Sequence, residues 1–110
     1  MTQLRPVTTD SLGHCIVCVD DYSLDHKRHY TVLGFPELWG LLLARYIETE
    51  DAWTIFYSSR HWSSFRDVGP MGESALARLR AEVLHYIVIG DLPAAHCRDF
   101  LTYCEKRLDP

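Results

Sequence analysis

The amino-acid sequence predicts an α+β fold: a small, mostly antiparallel sheet of three or four strands packed against about three helices. Three observations lead there. Short apolar runs rich in β-branched and aromatic residues, separated by polar turns, fill much of the first two thirds of the chain. Apolar residues recur at helical spacing in the last third. All the glycines except Gly40 stand at the ends of these segments. The expected order is β-β-α-β-(β)-α-α, which mixes strands and helices without the strict alternation of a parallel fold.

A chain of 110 residues is expected to form one domain. Residues 1–12 are polar and turn-prone around Pro6 and Thr8-Thr9-Asp10-Ser11, so they read as a loose arm, with residues 13–110 as the domain itself. His14 to Val19 is a β-branched apolar run that suits a strand buried on both faces or nearly so. Asp20-Asp21 ends it, Ser23 to His29 reads as a turn, and Tyr30 to Leu33 reads as a second strand that completes a hairpin.

A helix is then expected from Pro36 to about Glu48. Pro36 suits a first helical position, Glu37 suits the positive end of the macrodipole, and Leu38, Leu41, Leu42 and Arg45 follow the i, i+3, i+4, i+7 rule. Ala52 to Tyr57 is the clearest strand, and His61 to Arg66 reads as its return. Gly69-Pro70-Met71-Gly72 opens a helix with the stripe Leu76, Leu79, Val83, Leu84 and Ile87, ended by Gly90. Asp91 is expected to cap a last helix, with Pro93 in its first turn and a stripe of Cys97, Phe100, Leu101, Cys104 and Leu108.

Composition excludes some function classes. With 47% apolar and 24% charged residues and a net charge of −4, the chain is not a disordered segment. No apolar run approaches the roughly 20 residues of a membrane-spanning helix. The first residues lack the apolar stretch of a secretory signal, so a cytoplasmic protein with four reduced cysteines is expected. The acidic excess lies in residues 1–51, which carry eight acids against four bases. Such a field disfavours direct nucleic-acid binding and favours a basic protein partner.

The motifs are incomplete. Cys15-x-x-Cys18 has a zinc or redox spacing, and Cys97 and Cys104 would complete a four-thiolate set. Residues three apart on a strand point to opposite faces, however, and no turn lies between Cys15 and Cys18. Asp20, Asp21 and Asp25 would suit a magnesium ion only with partners the sequence does not locate. Ser63 or Ser64 with His61 and Asp67 has the residue types of a catalytic triad without a nucleophile elbow. No glycine loop cradles phosphate, so no cofactor is expected.

The aromatic cluster is the strongest feature: Trp53, Phe56, Tyr57, His61, Trp62, Phe65 and Arg66 fall within fourteen residues. Exposed Trp, Tyr and Arg are preferred anchors of protein interfaces. The expectation is therefore a non-enzymatic protein-binding domain, with Asp20, Asp21, Asp25, Trp53, Tyr57, Trp62 and Arg66 as contact residues. Its concrete form is an acidic inhibitor, of immunity-protein or antitoxin type, that masks a basic partner such as a nuclease toxin. The alternatives are a small zinc-binding domain using the four cysteines, and a small enzyme or ligand binder with a pocket between sheet and helices and His61 or His85 as acid or base. A homodimer through the aromatic strands is also open.

Overall fold

Among the described residues, six strands and two helices form in the order β1 (Arg5–Pro6), β2 (His14–Cys18), β3 (His29–Gly34), β4 (Leu41–Ile47), β5 (Ala52–Ser58), β6 (Phe65–Pro70), α1 (Glu73–Val88) and α2 (Ala94–Leu108). The computed structural model describes residues 4–19, 29–36 and 40–109. The strands make one antiparallel sheet in the spatial order β1-β6-β2-β3-β4-β5. Single turns of 3-10 helix at Thr9–Ser11 and Trp62–Ser64 lead into β2 and β6.

Both faces of the sheet are buried, and among the described residues helices cover one of them. Leu33, Leu42, Ala44 and Trp53 meet Leu76, Leu79 and Val83 of α1 and Cys97, Phe100 and Cys104 of α2. The alternate residues Ile16, Cys18, Tyr30, Val32, Leu41, Leu43 and Phe65 form a second core with Val7, bordered by Phe35, Phe56 and Trp62. Two cores in a chain this small require strands that are apolar on both sides, which is why β3 and β4 read as nearly continuous apolar runs.

That requirement corrects the third element. Residues Leu41 to Ile47 form β4, not part of a helix from Pro36 to Glu48; Glu37, Leu38 and Trp39 lie outside the described residues. Leu41-Leu42-Leu43-Ala44 sends alternate side chains into the two cores, and a four-residue apolar run satisfies a helical and a two-sided strand pattern equally. Gly40 carries a φ of +76°, and a Cβ there would stand 2.8 Å from the Ser58 carbonyl oxygen, so glycine is needed where β4 begins beside the end of β5. The helices therefore number two among the described residues rather than about three, and the strands six rather than three or four.

Other differences are smaller. Within the segment expected to be a loose arm, Arg5 and Pro6 pair with Asp67 and Arg66 of β6, and Val7 and Ser11 are buried. A proline can occupy such an edge strand because its missing N–H costs no ladder bond on the outer side. The return strand begins at Phe65; before it, the His61 ring accepts the Ser63 N–H and caps the 3-10 turn. Asp91 does not cap α2, which starts at Ala94 after Pro93. Instead its N–H donates to the Tyr86 carbonyl while Gly90 N–H donates to Ile87, the double bond of a helix ended by a left-handed glycine. The turn expected from Ser23 to His29 lies, up to residue 28, outside the described residues.

Candidate functional site

Strand alternation on β5 decides where the expected contact residues go. Trp53, Ile55 and Tyr57 face the helices, and Thr54, Phe56 and Ser58 face the other side. Trp53 is only 7% exposed and belongs to the first core. Its ring lies 5.0 Å from that of Tyr46 and 5.4 Å beneath the Arg78 guanidinium, which Asp51 holds at 2.7 Å while also accepting the Tyr46 hydroxyl. The Arg78 guanidinium, then the Tyr46 hydroxyl, hold the Asp51 carboxyl below its usual range.

Tyr57 is 38% exposed, and its hydroxyl meets His96 Nδ1 of α2 at 2.7 Å. Partial burial, and after it the neighbouring Cys97, push its phenol upward. Trp62 packs on Phe35 with ring centroids 4.7 Å apart at the margin of the second core. Arg66 donates to the carbonyls of Ser63 and Phe65. Tyr57 and Trp53 thus share a face, and Trp62 and Arg66 sit around the second 3-10 turn. Asp20, Asp21 and Asp25 lie outside the described residues.

The expected chemical clusters come apart. Cys18 sits in the second core and Cys97 and Cys104 in the first, so the four thiols do not face one point. Burial raises the Cys15 and Cys97 thiols and pushes Cys104 up to about 11. Among the described residues no group of three or more His, Cys, Asp or Glu side chains is placed to hold a metal ion. His61 does meet Ser63, at 2.9 Å, but as a local cap exposed to solvent, and Asp67 belongs elsewhere.

Asp67 is nearly buried on β6 and accepts from His14 Nδ1 at 2.9 Å, from the Gly69 N–H at 2.7 Å and from the Ser11 hydroxyl. Burial raises its carboxyl, and these hydrogen bonds together more than offset that, leaving it below the usual range. Among the described residues, His14 is the histidine that a carboxylate orients as in a catalytic pair, and the pair includes neither His61 nor His85. It joins the start of β2 to β6 and does not border any of the larger cavities.

A different surface stands out on α1. Leu76, Leu79 and Val83 face the core, whereas Leu84 is 44% exposed, Val88 82% and Ile89 52%. Leu84 and Val88 are one turn apart, and the exposed Ala81 continues their row. Packing does not require these aliphatics. Nor does helix propensity account for Val88, since a β-branched residue is a poorer helix former than Ala, Lys or Glu. The sequence reading missed the patch by placing Leu84 in the core stripe; Leu84 lies about 100° around the helix from Val83, and a second apolar row was the available sign.

No helix among the described residues is long and apolar enough to cross a membrane. No family model matches the chain, and no curated protein or solved structure shows significant similarity to it.

Proposed function

We propose that the chain is a non-enzymatic protein-binding domain that acts in the cytoplasm. The observation that carries this reading is the solvent-facing aliphatic patch of Leu84, Val88 and Ile89 at the end of α1. Apolar surface of this kind, set among polar residues and not demanded by the fold, is what protein interfaces desolvate. The partner is a basic polypeptide: a net charge of −4 attracts one by steering and repels a second copy of the same chain. The concrete form is an inhibitor of immunity-protein or antitoxin type that masks a basic enzyme such as a nuclease.

The test is gentle isolation from the host followed by native mass spectrometry, on wild type and on the Leu84→Glu/Val88→Glu variant. The reading expects one basic polypeptide at fixed stoichiometry on the wild type and its loss from the variant, with thermal unfolding unchanged. A doubled mass, or a partner that binds the variant equally well, overturns it. Trp53→Ala is a poor probe of the same question, because Trp53 is a core residue.

A further inference from the structure

The sheet face away from the helices carries a cavity of about 530 Å³. Its floor is apolar, with Leu43, Phe56 and Phe65 among the lining residues. Its polar groups are the Arg45 guanidinium, the hydroxyls of Thr54, Ser58 and Tyr30, and Arg60 at the exposed end of the loop after β5. No carboxylate occurs among the described residues that line it.

Arg45 is the unusual member. It is half-buried in the middle of β4, directly across from Thr54 of β5, between Leu43 and Ile47 on the same face. Among the described residues it has no hydrogen-bond or ion-pair partner, whereas Arg78 and Arg80 each hold a carboxylate at 2.7 and 2.8 Å. A cation withdrawn from water above an apolar floor loses hydration that only an anion restores well. Its planar fork of donors matches carboxylate and phosphate oxygens two at a time. The volume falls in the range of small-molecule sites, which combine apolar walls with a few convergent polar groups.

We propose that this cavity binds a small organic anion, with a carboxylate or phosphate monoester head on Arg45 and the Thr54 hydroxyl opposite it, and an apolar body against Leu43 and Phe56. The site lies on the strands, and its residues are not those of the α1 patch, so it stands or falls independently of the protein-binding reading.

The experiment titrates the whole chain with benzoate, phenyl phosphate and the neutral benzyl alcohol, following backbone amide shifts by NMR. At least one anion is expected to bind about ten-fold or more tightly than the alcohol, the usual advantage of a charge-assisted hydrogen bond, with shifts centred on β4 and β5. Which anion wins distinguishes a carboxylate from a phosphate ligand. Arg45→Gln should remove that advantage and leave the alcohol unaffected. Thr54→Glu, which places a carboxylate opposite Arg45, should abolish anion binding while keeping the fold. The proposal is overturned if neither anion binds more tightly than the alcohol, if the shifts lie away from β4 and β5, or if the folded variants bind the anions as the wild type does.

Discussion

Replacing Asp67 tests the account of how the first residues of the chain are held to the sheet. Asp67 is 8% exposed, and its carboxylate accepts from His14 Nδ1, the Gly69 N–H and the Ser11 hydroxyl, so one side chain joins the 3-10 turn before β2, β2 itself and β6. A hydrogen bond to a charged group contributes about 1.5–3 kcal/mol, and bonds that share one acceptor are not additive, so Asp67→Ala should cost about 3 kcal/mol at pH 7. For a domain of this size that lowers the melting temperature by about 15 °C. Urea unfolding followed by tryptophan fluorescence reads the loss. The pH dependence has a fixed sign. The folded carboxyl lies below its unfolded value of about 3.9, so its contribution is fully present above that value and disappears as pH falls through the folded one. The stability difference between wild type and Asp67→Asn should therefore be level from about pH 5 upward and should shrink below about pH 3.9. An alanine variant within about 0.5 kcal/mol of wild type at pH 7, the range of ordinary surface substitutions, would refute the reasoning. So would an asparagine gap that persists unchanged at pH 2.

Trp53→Ala empties the space between Tyr46, Arg78 and α1 and should cost about 3–5 kcal/mol in chemical unfolding, whereas Tyr57→Phe, at an exposed position, should stay within about 0.5 kcal/mol. Gly40→Ala forces a Cβ against the Ser58 carbonyl at a positive φ and should destabilise by more than the roughly 1 kcal/mol of an ordinary glycine change, read as a lower urea midpoint. Cys97 and Cys104 have no exposed surface and should resist a thiol reagent at pH 8 until the protein unfolds, while Cys15, partly exposed, reacts slowly in the native state. Because Cys104 titrates near 11 when folded and near 8.5 when unfolded, stability should be constant below about pH 8.5 and fall as pH rises above it, a slope that Cys104→Ser should reduce.

Much of the fold is legible in the sequence wherever one pattern has one solution. The β-branched run from His14 and the alternating Ala52 to Tyr57 segment are strands, and the stripes around Leu76 and Phe100 are the buried sides of two helices. Gly90 ends α1 at a positive φ, as its place after the stripe implies. β4 is the exception because its apolar residues are contiguous, and Pro36-Glu37 ahead of it has the chemistry of a helix start. Only knowing that the sheet is buried twice favours the strand, and that knowledge lies in Ile16, Val32 and Phe65, far away in sequence. β1 escapes for the opposite reason: two residues, one of them proline, carry no pattern at all, and their pairing with β6 depends on Asp67 and Arg66 sixty residues on.

The same logic explains why the candidate sites were harder to read than the fold. A sequence specifies a structure when local preference, patterning and polar satisfaction agree, and places where they disagree are where function is expected. Arg45 disagrees, as a cation without a described partner on an apolar strand face; Val88 disagrees, as a β-branched aliphatic 82% exposed on a helix. Reading the sequence for consistency removes both conflicts. A helix from Pro36 to Glu48 puts Arg45 on an ordinary amphipathic surface, and one broad stripe on α1 takes Leu84 into the core. The aromatic strand drew attention because its residues are large, yet Trp53 obeys every packing rule. Side-chain size therefore located the core, and the two departures from pattern, which only a settled backbone makes visible, locate the surfaces that packing does not explain.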